Sequence, residues 1–212
     1  MQLRRIHWRF EVSYNVAPTQ SVPVVRFANG EREGLMMRWG MIPFSAKGIA
    51  PNFPSSNARI EKLETAPTWR GPWGRAQRCI LPAAGFYEWH MNEACQKHPF
   101  FIRLADQEVF GFAALWDRSI TTDRVAVLSC ALITMPANEL MRRIHNAGAH
   151  PFRMPAILLQ TDHDAWLRGS VADAKDVLRQ YPQDQMVAYQ VSRWVNNSKN
   201  DGKKLIEPAH KL

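Results

Sequence analysis

Val22-Pro-Val-Val-Arg-Phe-Ala-Asn29-Gly30-Glu-Arg-Glu-Gly-Leu-Met-Met-Arg-Trp39 is the stretch on which the fold class turns. Two runs rich in β-branched, aromatic and aliphatic residues, 22–27 and 35–39, flank an Asn-Gly pair. Asn and Gly accept the positive φ angles of a tight hairpin turn, so the stretch predicts two antiparallel strands. Further strand-like runs follow at 79–81, 86–90, 100–104, 109–116 and 125–134. The segment 46–56, with Gly48, Pro51 and Pro54, reads as an irregular loop. A short helix is expected over 59–65. Clearer helices come late: one opening at Pro136 and ending near His145, one over 162–167 capped by Thr161, and one over 173–180 capped by Ser170. Short strands are expected over 154–159 and 186–191. Many strands with helices gathered late predict an α+β protein: one domain over 1–212, with a mixed, largely antiparallel β-sheet core and peripheral helices.

With 212 residues, 46% of them hydrophobic and 22% charged, the chain can bury a core and does not read as disordered. No run approaches the ~18 apolar residues of a membrane span. The opening Met1-Gln-Leu-Arg-Arg-Ile-His7 lacks the apolar stretch of a signal peptide, so a cytoplasmic location is expected. Cys79, Cys95 and Cys130 match no zinc spacing and read as reduced thiols; no metal and no cofactor is expected. The net charge of +8 attracts polyanions. Arginines spread among aromatics over the first half fit a nucleic-acid partner and fit an ordinary solvated surface. The eight tryptophans can stack unpaired bases or fill a core.

Three polar residues stand in otherwise apolar stretches. Asn57, in front of Arg59, can cap a helix, or line a pocket in which Arg59 grips a phosphate through its planar fork. Glu88 in Phe86-Tyr-Glu-Trp89 shares a strand face with Phe86. Either it lies on an exposed outer face, or it is partly desolvated, with a raised pKa suited to acid–base work. His145 can complement a helix C-terminus or carry protons, and the nearby His150 competes for the second role.

Several spaced motifs in order carry a resemblance: Tyr14-Asn-Val-Ala-Pro-Thr-Gln20, Arg38-Trp-Gly-Met-Ile-Pro43, Asn57-Ala-Arg-Ile-Glu61, Pro82 to Trp89, Ile133-Thr134, Ile144-His145, Arg153-Met-Pro-Ala-Ile-Leu158 and Val191 to Asn197. From Tyr14 to Pro208 the chain resembles the SOS response-associated peptidase (SRAP) family, whose members protect abasic sites in single-stranded DNA. The resemblance implies a covalent mechanism. In the family an N-terminal Cys, freed by removal of the initiator Met, condenses with the ring-opened abasic sugar, and its thiol closes a thiazolidine. Carried over, Asn57 would bind the crosslinked centre and Glu88 would be the acid–base group. His145 would help open the sugar and shuttle protons, and Thr134 would line the pocket. Arg59, Trp39, Trp89, Asn15, Pro18 and Arg38 would hold the strand. The expected partner is single-stranded DNA with abasic sites, bound by a monomer with self-processing peptidase and lyase-type activity at the nucleoid.

The chain departs from that pattern at two places. Position 2 is Gln rather than Cys. Three readings follow: a recorded start that lacks the Cys, a divergent member that binds DNA without crosslinking, or substitution by an internal thiol. The first is favoured because the pocket residues are retained. The third is weakest because no internal Cys carries a free amine. The second departure is Ala147-Gly-Ala-His-Pro-Phe152, inserted between His145 and Arg153 and expected to reshape the pocket mouth. The spacing from Thr134 favours His145 over His150.

Overall fold

The computed structural model describes residues 5–209. It opens with the two-residue strand β1 (Arg5–Ile6), followed by the hairpin of β2 (Ser21–Ala28) and β3 (Glu31–Trp39). The hairpin register runs from Ser21↔Arg38 to Ala28↔Glu31. Asn29 and Gly30 form its turn with φ of 53° and 79°, positive angles that Asn tolerates and Gly, lacking a Cβ, adopts freely.

Strand β4 (Asn57–Arg59) precedes the helix α1 (Pro67–Gly74). Then come β5 (Arg78–Ala83), β6 (Phe86–Met91), β7 (Lys97–Leu104), β8 (Phe110–Ile120) and β9 (Ala126–Pro136). Helix α2 (Glu139–Ile144) leads to β10 (Arg153–Pro155) and β11 (Ile157–Leu158). Helices α3 (His163–Arg168) and α4 (Val171–Asp176) and the strand β12 (Met186–Gln190) complete the order.

Among the described residues nine strands form one sheet and three form another, in the order β12-β7-β6. Within the large sheet, β3, β2, β5, β8 and β9 follow one another antiparallel, and β3 also pairs with β9. That last pairing closes the five strands into a ring and is parallel, Arg38↔Ser129 and Trp39↔Cys130. The parity follows from geometry: alternating directions around an odd number of strands must leave one parallel pair. Within the ring the strands have no open edge, and both of their faces are covered: Val24 and Ala114 on one face, and Val25, Ile80, Leu115 and Ala131 on the other, are almost fully buried. The α+β class and the largely antiparallel sheet are as expected.

Several local expectations are corrected. Residues 57–59 pair with β9 as a parallel strand, and only one 3₁₀ turn, Ile60–Lys62, follows where a helix over 59–65 was expected. Pro136 ends β9, and α2 starts later, capped by the Asn138 side chain, which accepts from the Met141 amide. The 154–159 segment splits at Ala156, pairing first with β9 and then with β8. Asp162 rather than Thr161 precedes α3, with no side-chain cap. Ser170 does cap, through a reciprocal box with Asp173, but α4 ends at Asp176.

Candidate active site

Strand β9 is the spine of the site. Thr134, near its end, pairs with Pro155 of β10 on one side and with Arg59 of β4 on the other. In β4 the side chains alternate. Ala58 is buried in the core, so Asn57 and Arg59 share the opposite, exposed face. The capping reading of Asn57 is thereby excluded, since it lies in a strand and caps no helix.

Alternation also sorts β6. Phe86 packs edge-on against Phe112 in the main core, while Tyr87 and Trp89 pack with Phe101, Val191 and Val195 in a second cluster. Glu88 therefore points the same way as Phe86, away from that cluster. Its side chain is 22% exposed, which rules out the outer-face reading. Burial pushes its carboxyl up to about 7, with the His145 charge and the Trp89 amide pulling partly the other way. Near neutral pH it can therefore either give or take a proton.

His145 ends α2, its amide donating to the Met141 carbonyl. The imidazole Nε2 lies 3.9 Å from Glu88 Oε2. That is too long for a direct hydrogen bond and close enough for a substrate hydroxyl to bridge. On the other side Nδ1 lies 3.0 Å from the Arg153 carbonyl oxygen, which can only accept, so Nδ1 carries a hydrogen. The Arg153 amide is farther away, at 3.4 Å. Arg153 is itself tied down. Its guanidinium forms two hydrogen bonds with Glu61, at 2.6 and 3.0 Å, and a third to the Thr134 carbonyl at 2.7 Å. The pairing holds the Glu61 carboxyl below its ordinary range.

These groups open into one cleft of about 1850 Å³, lined by both sheets. That is larger than the ~300–1,000 Å³ of common small-molecule pockets and fits a macromolecular ligand. Asn57, Glu88, Thr134 and His145 all line it, as do Arg59, Trp39, Trp89, Asn15 and Pro18. Arg38 does not; its guanidinium turns back onto the Gly40 carbonyl at 2.5 Å. Asn15 is present but engaged, its amide donating to the carbonyls of Val195, Asn197 and Asn200 at 3.1–3.2 Å. The indole N–H groups of Trp39 and Trp89 are bonded to Ser56 and Asn196, which fixes both ring planes at the wall. Ala149 and His150 of the 147–152 segment also line the cleft; both are exposed, whereas His145 is half-buried.

Sequence reasoning missed Phe10 and Phe53, which line the cleft with half their surface exposed, and the exposed Lys62. It quoted Glu61 and Arg153 without giving them a task; their shared motif spacing from Asn57 and His145 was the available signal. Cys79, Cys95 and Cys130 all lie outside the cleft, and burial drives the Cys79 and Cys130 thiols far up, the latter to about 12. Substitution by an internal thiol is therefore excluded. Position 2 falls outside the described residues. Among the described residues no cluster of three or more His, Cys, Asp or Glu can hold a metal ion, and no helix is long and apolar enough to cross a membrane.

Comparison with known proteins bears on family and fold. The family model for SOS response associated peptidase (SRAP) matches residues 3–198. The chain is similar to the abasic site processing protein YoqW of Bacillus subtilis (strain 168), with 37% identity over 202 residues, covering 93% of this chain and 87% of that one. A crystal structure of a Bordetella bronchiseptica protein resembles it with a TM-score of 0.77 and 31% identity, covering 87% and 90% of the two chains. One from Bacteroides thetaiotaomicron has a TM-score of 0.78 and 26% identity, covering 91% and 82%.

Proposed function

The chain belongs to the SOS response associated peptidase family, and on that premise we propose that it processes abasic sites in single-stranded DNA. The observation that carries the reading is the Glu88–His145 pair, 3.9 Å apart in a cleft that also holds Asn57, Thr134 and the exposed cation of Arg59. An abasic sugar is a cyclic hemiacetal. Opening it removes the proton of the anomeric hydroxyl, breaks the bond to the ring oxygen and protonates that oxygen. The Glu88 carboxylate takes the first proton and the His145 imidazolium supplies the second, leaving an aldehyde and no net change in composition. Asn57 and Thr134 hold the opened sugar. Arg59 binds flanking phosphate, and Trp39, Trp89 and Pro18 support the strand. Asn15 serves the wall rather than the DNA, and Arg38 has no part in the cleft.

In this reading the whole chain acts as one monomeric domain on cytoplasmic DNA. Capture of the aldehyde, and any self-processing peptidase step, would need an amino-terminal amine and thiol as in the family. The alternative reading is binding at abasic sites without crosslinking. One experiment separates the two. The protein is incubated with an oligonucleotide carrying one abasic site, then run on denaturing and native gels. A heat-resistant shifted band supports covalent processing. A shift seen only on the native gel supports non-covalent binding, and no preference for the abasic strand on either gel rejects both.

A further inference from the structure

Two groups that work on one substrate need a fixed separation, yet Glu88 and His145 belong to different elements. Glu88 lies in the three-stranded sheet, whereas His145 ends a helix suspended between β9 and β10 of the large one. Asn146 spans the seam. The Met91 amide donates to its Oδ1 at 2.8 Å, and its Nδ2 donates to the Met91 carbonyl at 2.9 Å. These are the two bonds a neighbouring strand would exchange with Met91, made here by one side chain.

We propose that Asn146 is a positioning residue that docks the end of α2 onto the end of β6 and thereby sets the separation of the His145 imidazole from the Glu88 carboxylate. The chain order makes the coupling short. Asn146 directly follows His145, and Met91 is three residues beyond Glu88 on a rigid strand. A second tie on the same seam, from His90 Nδ1 to the Arg143 carbonyl at 2.8 Å, guides the approach but touches neither reacting group. Only a planar amide offers donor and acceptor together at this reach. Alanine offers neither, and serine can keep one bond at most.

The role rests on reading Glu88 and His145 as the working pair, but its test needs no DNA. The carboxyl carbon of Glu88, identified by its loss in Glu88→Gln, is titrated by nuclear magnetic resonance in the wild type, Asn146→Ala and Asn146→Ser. The charged group that acts on the Glu88 carboxyl is His145 on α2, whose imidazole is backed by the Arg153 carbonyl; both residues are kept in these variants. With the clamp gone, water enters the seam, and the midpoint should fall by about one pH unit toward ordinary carboxylate values in Asn146→Ala. It should fall by less in Asn146→Ser. A folded Asn146→Ala with an unchanged midpoint overturns the proposal; a raised one, from retreat of the His145 charge without entry of water, still reports a changed separation and supports it. If that variant does not fold, Asn146→Ser with the wild-type midpoint overturns the proposal. A shifted midpoint in a protein that ignores abasic DNA keeps the clamp and rejects the function, and the reverse result does the opposite.

Discussion

The Glu88 carboxylate and the His145 imidazole face each other at 3.9 Å, although one is carried by a strand of the small sheet and the other by a helix end tied to the large one. Burying the Glu88 carboxyl there costs stability, because burial raises its pKa from 4.5 to about 7 even with His145 pulling the other way. The folded state holds that proton more tightly than the unfolded state. The group's contribution is therefore fully present below about pH 4.5 and is lost as pH rises through 7. Glu88→Gln removes the loss. The variant should gain up to about 3 kcal/mol over the wild type at pH 8 and almost nothing at pH 4. Thermal melts at the two pH values measure this, and an equal gain at both would contradict the burial argument.

The same pair sets the expected kinetics. Removing a positioned acid or base typically slows a proton-transfer step by ~10²–10⁴-fold. Glu88→Gln and His145→Ala should each slow reaction with an abasic oligonucleotide by about that factor, while affinity, followed by fluorescence anisotropy, stays within about twofold. A variant that reacts at the wild-type rate removes its residue from the mechanism.

Arg59 should act through affinity alone. It is exposed on the same face of β4 as Asn57 and reaches the cleft without entering the Glu88–His145 contact. Arg59→Ala is expected to weaken binding to single strands of any sequence and to reduce the slope of log affinity against log salt by about 0.7, one phosphate contact on a single strand. Binding measured across a salt series tests this; an unchanged slope would place the phosphate contact elsewhere.

What the sequence revealed follows the distance over which each feature is determined. The Asn29-Gly30 hairpin is local, since two residues with permitted positive φ and two flanking apolar runs suffice. Asn57-Ala-Arg59 is the opposite case. Nothing in three polar and small residues demands a strand; they become one because β9 presents them with a free edge. Helix α1 escaped notice because Gly71, Pro72 and Gly74 spoil its helical pattern, although Pro67 opens it and Trp69 and Trp73 bury one face. At the site, Glu88 and His145 were readable one by one as polar residues in apolar stretches. The resemblance put both in one pocket, but their 3.9 Å approach depends on how the two sheets meet. Asn15 shows the converse: a motif residue that looked able to grip DNA has its amide spent on three carbonyls.

That engagement makes Asn15 a stability residue. Asn15→Ala would leave the carbonyls of Val195, Asn197 and Asn200 without this donor in a partly buried turn. A cost of about 1–3 kcal/mol is expected, seen as a lower denaturation midpoint. Under conditions where the variant is folded, its DNA affinity should remain close to that of the wild type. A large affinity loss with unchanged stability would restore the DNA-holding role.

Gly85 directly precedes the strand that carries Glu88, and it has no room for a side chain. A Cβ there would lie 2.2 and 2.5 Å from ring carbons of Phe101 and 2.7 Å from the Ile102 carbonyl oxygen. Phe101 is buried in the second cluster and packs against both Tyr87 and Tyr189, so its ring cannot swing clear cheaply. The Ile102 carbonyl belongs to β7, the strand that pairs with β6, and yields only if the two strands part. Gly85→Ala should therefore destabilise by about 1–3 kcal/mol through overpacking. Because relief comes from moving β6, it should also slow reaction with abasic DNA more than the loss of folded protein explains. The measurement is reaction rate per folded molecule, with the folded fraction taken from denaturant titration. If rate and folded fraction fall together, the strain is absorbed away from Glu88, and β6 is less rigidly coupled to the site than its packing implies.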